Sequence, residues 1–180
     1  RGLLQGVADE GGWWPAFTAN EQALETLVAA IEKAGFAPGR QVAIALDIAA
    51  TDFGKGGRYK LGLEGRELGT DEMIRMLLGW IAAYPIASIE DPLAEDDAAG
   101  FAAFTREVGG RIQVVGDDFL VTDAARVRRA AAIGAANTVL IKPIQRGTLT
   151  EAKAAWDAAR EVGFAGIVSA RSGETEDVTI

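Results

Sequence analysis

The stretch Ser88-Ile89-Glu90-Asp91-Pro92 decides how the rest of the chain is read. An apolar run leads into two adjacent carboxylates and a proline stops it, as a buried parallel strand does when its last residues point charge into a site. Similar ends lie on both sides. Asp47 interrupts the apolar run from Val42 to Ala50, Asp117 and Asp118 follow Val114-Val115-Gly116, and Lys142 closes Val139-Leu140-Ile141. The intervals are each about one βα unit, with extra loop in the first. Three acidic strand ends and then a basic one suggest a metal site beside a lysine base.

Working outward, helical and strand patterns alternate. Leu24, Leu27, Val28 and Ile31 predict a helix over 20–35, with Thr18 and Glu21 spaced as a capping box. The segment 51–69 is polar and glycine-rich, with a hairpin expected at Gly56-Gly57. Thr70 is expected to cap a helix carrying Ile74, Leu77, Leu78 and Ile81. Strands are expected at 86–89, 112–115, 138–141 and 166–169. Helices are expected at 96–108, from Thr122 or Asp123 to about 134, and from a Thr148–Glu151 capping box to 163.

Continuous apolar strands alternating with helices indicate a parallel sheet covered by helices. A doubly wound sheet and a (β/α)₈ barrel both fit. The barrel is favoured because no glycine-rich dinucleotide fingerprint follows any strand. Functional-looking residues also gather at the C-terminal strand ends, where barrel sites are built. The fold class read here is therefore α/β, a partial TIM-type barrel. A complete barrel takes about 250 residues, and this chain has 180. Arg1 and the uncapped start suggest an interior piece of a longer protein.

Composition narrows the chemistry. Cysteine and histidine are both absent. That removes thiol nucleophiles, thiolate or imidazole metal sites and the commonest acid/base group. Acid/base work falls to Asp, Glu, Lys, Tyr or Arg, and a metal must be a hard ion taking oxygen ligands, Mg²⁺ foremost. A net charge of −8 argues against nucleic acid as a partner, and no apolar run approaches the roughly 20 residues of a membrane span.

The motifs ADEGG, ALDIAATDF, SIEDPLAEDD, QVVGDD, LIKPIQRGTLTEA and SARSGETED resemble the enolase family in order and spacing, over essentially the whole chain. The resemblance implies that residues 1–180 are an incomplete C-terminal barrel domain, without the capping domain and the last barrel units. It also implies a cytoplasmic, glycolytic lyase converting 2-phosphoglycerate to phosphoenolpyruvate, dimeric in the full-length parent, with a small phosphorylated anion as substrate. Asp47, Glu90 and Asp117 would then hold Mg²⁺, Lys142 would remove the proton beside the substrate carboxylate, and Glu10 would help the hydroxyl leave as water. Arg171 and Ser172 would hold the phosphate.

The chemistry has its own logic. A proton beside a carboxylate is weakly acidic because its loss leaves a poorly stabilised dianion, which divalent cations offset. A cation near a lysine favours the neutral, basic amine. Each residue alone has a plainer role: a strand-end carboxylate caps a helix or forms an ion pair, and a lone lysine snorkels. Asp118 reads as a supporting group or cap, Trp13-Trp14 as packing or a lid, and Asp52, Glu95, Asp96 and Asp97 as solvated loop charge.

Three positions depart from the family pattern. Ala170 stands where enolases carry histidine, Trp13-Trp14 follows the glycine pair, and Pro143-Ile144 precedes Gln145. All three surround the expected substrate pocket. They point to an enolase-related enzyme of phosphonate biosynthesis, of the carboxyphosphonoenolpyruvate synthase type, as an alternative. A non-catalytic enolase-like scaffold is a third reading, opposed by the intact Asp47, Glu90, Asp117 and Lys142.

Overall fold

The structure, a computed structural model, describes residues 2–8 and 11–169. Glu10, Ala170, Arg171 and Ser172 lie outside the described residues. In chain order, β1 (Leu4–Val7) and β2 (Trp13–Pro15) form an antiparallel pair, followed by α1 (Glu21–Lys33) and β3 (Ile44–Asp47). A small antiparallel sheet comes next, β4 (Gly54–Lys55), β5 (Arg58–Leu61) and β6 (Arg66–Gly69), and then α2 (Thr70–Ala83). The units that follow are β7 (Ile86–Glu90) and α3 (Ala98–Val108), then β8 (Gln113–Gly116) and α4 (Ala124–Ala132). They continue with β9 (Thr138–Ile141), the short α5 (Pro143–Arg146), α6 (Leu149–Glu161) and β10 (Ala165–Val168).

The main sheet is parallel throughout, in the order β10-β9-β8-β7-β3. This is the expected α/β architecture: a partial barrel, with the sheet not closed on itself among the described residues. Burial follows position in the sheet. All four residues of β9 are buried, whereas in β3, at one edge, Ile44 is buried and Ala45 and Asp47 are exposed. Helices cover the outer face through Met73 and Leu77 of α2, Phe101 and Phe104 of α3 and Val127 of α4. The buried stripe of α6 is alanine (Ala152, Ala155, Ala158, Ala159), which lets it lie close to α4 and β9.

Local chemistry corrects several expectations. Thr18 does not pair with Glu21. Its hydroxyl accepts from Gln22 Nε2 at 3.1 Å, while Glu21 accepts from the Trp80 indole at 2.7 Å. Thr70 is the first residue of α2 rather than its cap, and the Glu72 carboxylate turns back to the Gly69 N–H at 2.8 Å. Asp123, not Thr122, caps α4. The Thr148–Glu151 box forms as expected, and so does the turn at Gly56-Gly57, where both glycines have positive φ.

Asp97 is not solvated loop charge. It caps α3 by accepting from the Gly100 N–H at 2.9 Å. It also accepts from Tyr59 Oη at 2.8 Å and Thr70 Oγ1 at 2.6 Å. The Tyr59 oxygen in turn accepts from the Ala94 N–H at 3.2 Å, and Asp96 accepts from the Gly56 N–H at 3.0 Å. The small sheet is thereby fastened to the loop after β7, directly behind Glu90 and Asp91.

Candidate active site

The strand register delivers four functional side chains to one edge. Asp47 is the last residue of β3 and stands opposite Glu90, the last of β7. Glu90 is opposite Val115, so Asp117 lies just past the end of β8, and Lys142 lies just past β9. The sheet order β9-β8-β7-β3 therefore reads Lys142, Asp117, Glu90, Asp47 along the C-terminal edge. An apolar strand buried on both faces has no polar residue until its end, so chemistry is confined to this rim.

Lys142 Nζ donates to Asp117 Oδ2 in an ion pair whose side chains are only 16% and 12% exposed. The other Asp117 oxygen accepts from Gln145 Nε2 at 3.1 Å. Carboxylates crowd this pair, and burial and mutual repulsion make them harder to ionise. Burial pushes Glu90 up to about 8, with Asp47, Asp117 and Asp91 adding repulsion. Burial likewise raises Asp91 to about 7 against the lowering effect of two backbone N–H groups. Asp118 is raised by burial and then by Asp117. Asp47 is raised by partial desolvation at its strand end, opposed by the Ala49 N–H, and further by Asp117. A rim with this excess of hard oxygen donors over ammonium groups fits a hard divalent cation.

Among the described residues, the three carboxylates that approach within 4.8 Å of one another are Asp91, Asp117 and Asp118. Of the expected ligand trio only Asp117 is in that group. The reason is visible in the backbone. Asp91 is buried, with φ of 40°, and its two oxygens accept the N–H groups of Asp117 at 3.0 Å and Asp118 at 2.7 Å. It anchors the loop that carries Asp117, and both its oxygens are already engaged.

Strain gathers on the same rim. Among the described residues the non-glycine positions with positive φ are Ala49, Asp91, Val121 and Thr122, each following the end of β3, β7 or β8. Such conformations cost of order 1–3 kcal/mol each and persist only where surrounding bonds enforce them. Asp91, Thr122 and Gln145 were not singled out as site residues from sequence. The turn chemistry that reveals them is a φ value, which a residue name does not carry.

Trp13 and Trp14 lie exposed on β2, and among the described residues no helix is long and apolar enough to cross a membrane.

Fold and rim together define a segment of a (β/α)-barrel with an acidic cluster around a lysine at its C-terminal edge. The chain belongs to the enolase C-terminal TIM barrel domain family, whose model matches residues 3–180. It is 47% identical to the enolases of Tropheryma whipplei strains Twist and TW08/27, over 99% of this chain and 42% of each relative. The chain thus spans less than half the length of the curated relatives it matches.

Proposed function

We propose that the full-length parent of this chain catalyses the Mg²⁺-dependent, reversible dehydration of 2-phosphoglycerate to phosphoenolpyruvate. The observation that carries this reading is the rim itself. Three carboxylates and a lysine follow one another on four neighbouring strand ends, with Lys142 paired to Asp117. Asp47, Glu90 and Asp117 would hold the metal. Bound there, Mg²⁺ supplies the positive charge that stabilises the second negative charge on the substrate carboxylate.

Lys142 takes the proton from C2, and the electron pair left behind moves into the carboxylate. Its return forms the C2–C3 double bond and breaks the bond from C3 to its hydroxyl. Glu10 gives that hydroxyl a proton, so water leaves. Arg171 and Ser172 hold the phosphate and fix C2 against the lysine. The parent would act as a cytoplasmic, glycolytic homodimer. The domain assignment, residues 1–180 as an incomplete barrel, belongs to the same proposal.

The test is direct: the purified full-length parent with Mg²⁺ should convert 2-phosphoglycerate to the ultraviolet-absorbing enol product, and chelation should stop it. Absence of conversion in the presence of Mg²⁺ would overturn the reading. A phosphonate analogue as substrate is the second reading, favoured by Ala170 and by the exposed Ile144 close to Lys142.

A further inference from the structure

We propose that Thr122 is a positioning residue for Lys142; this deepens the reading above and rests on it. Thr122 is fully buried, and it and Val121 both have left-handed backbone, with φ of 50° and 44°. Two successive residues with side chains do not adopt that geometry without something to hold them. What holds Thr122 is its hydroxyl. Oγ1 accepts the Lys142 N–H at 3.0 Å and lies 3.1 Å from the Leu140 carbonyl and 2.9 Å from Gln145 Oε1. Its single proton goes to Gln145 Oε1, the nearer of these two acceptors.

Gln145 carries the arrangement on. With Oε1 facing the Thr122 hydroxyl, its Nε2 donates to Asp117 Oδ1 at 3.1 Å, while Asp117 Oδ2 accepts from Lys142 Nζ. The loop before Thr122 is tied to the same aspartate, the Val121 N–H donating to the Asp117 carbonyl at 2.7 Å. The bonds form a ring that begins at the Lys142 backbone, passes through Thr122, Gln145 and Asp117, and returns to the Lys142 ammonium. Both ends of a long, flexible side chain are thereby fixed relative to one carboxylate. Thr122 touches no reacting atom; it acts through where Lys142 stands.

The experiment uses the full-length parent and the variants Thr122→Val, Thr122→Ser and Gln145→Leu. Thr122→Val keeps the shape and removes the hydroxyl. It should lower kcat about 10- to 100-fold, the range typical when a supporting hydrogen bond is removed, with KM for 2-phosphoglycerate and Mg²⁺ affinity by calorimetry little changed. Thr122→Ser should restore most of kcat, and Gln145→Leu, which opens the ring elsewhere, should reproduce the loss. If Thr122→Val does not fold, Gln145→Leu carries the test. Crystal structures give the readout independent of turnover: the Lys142–Asp117 contact persists in Thr122→Ser and is lost in Thr122→Val and Gln145→Leu. Variants that keep both parental kcat and that contact overturn the proposal. If the parent does not act on 2-phosphoglycerate, the functional reading fails, and the crystallographic comparison alone decides the role of Thr122.

Discussion

Asp47 and Glu90 face one another across the last rung between β3 and β7, two carboxylates on adjacent parallel strands with Asp117 beside them. Glu90 is held up at about 8, against an ordinary 4.5. Between those values the folded chain keeps a proton that the unfolded chain has released. Stability therefore falls as pH rises through that window and levels off above it. In metal-free full-length protein, Tm should decline from pH 5 to 8, and Glu90→Gln should flatten the decline. Mg²⁺ competes with the same proton, so its affinity should rise over that interval. Equal pH slopes for the two proteins would contradict the assignment.

Lys142 and Glu10 should separate the two halves of the reaction. In the full-length parent, Lys142→Ala should abolish exchange of the substrate's C2 proton with solvent deuterium while Mg²⁺ affinity persists. Glu10→Gln should block loss of the hydroxyl yet leave some exchange. Both are measurable by proton NMR, and exchange at near the parental rate in Lys142→Ala would exclude the lysine as base.

Ala170 adjoins the phosphate motif Arg171-Ser172. Restoring the family's histidine by Ala170→His should raise 2-phosphoglycerate dehydration in a steady-state assay. Unchanged or lower activity would favour the phosphonate analogue.

Asp97 joins the small sheet and α2 to α3 through Tyr59, Thr70 and the Gly100 N–H. Asp97→Ala removes a helix cap and bonds to a charged acceptor together, so it should cost roughly 2–4 kcal/mol. Tyr59→Phe, losing one bond, should cost about 1 kcal/mol. Urea denaturation gives both, and an Asp97→Ala loss no larger than that of Tyr59→Phe would show that the residue is not a junction.

Gly116 ends β8 immediately before Asp117. A Cβ there would lie 2.5 Å from Leu120 Cγ, a fully buried side chain with little room to retreat. Gly116→Ala should destabilise by about 1–3 kcal/mol and weaken Mg²⁺ binding by shifting Asp117. A calorimetric titration at fixed pH would show whether the two effects travel together.

The parallel sheet was legible because its strands are short apolar runs such as Val139-Leu140-Ile141, and their ends are marked by charge. The positions of Asp47, Glu90, Asp117 and Lys142 follow from that alone. Asp97 was misread because its partners Tyr59 and Thr70 are 38 and 27 residues away, beyond any local pattern. Asp91 and Thr122 were passed over as site residues because their importance lies in left-handed turns that only tertiary bonds enforce. The β1–β2 pair went unseen because its strands are four and three residues long and mostly exposed, leaving no periodic burial to read.

From β7 onward each strand of the main sheet lies beside the one made just before it. A chain emerging from the ribosome can therefore add each strand in turn. In that order the acidic strand ends of β3, β7 and β8 are assembled before β9 brings Lys142 alongside Asp117. Until β9 docks, Asp117 lacks the ammonium that pairs with it in the finished sheet, so the partly assembled edge is the form most sensitive to the salt around it.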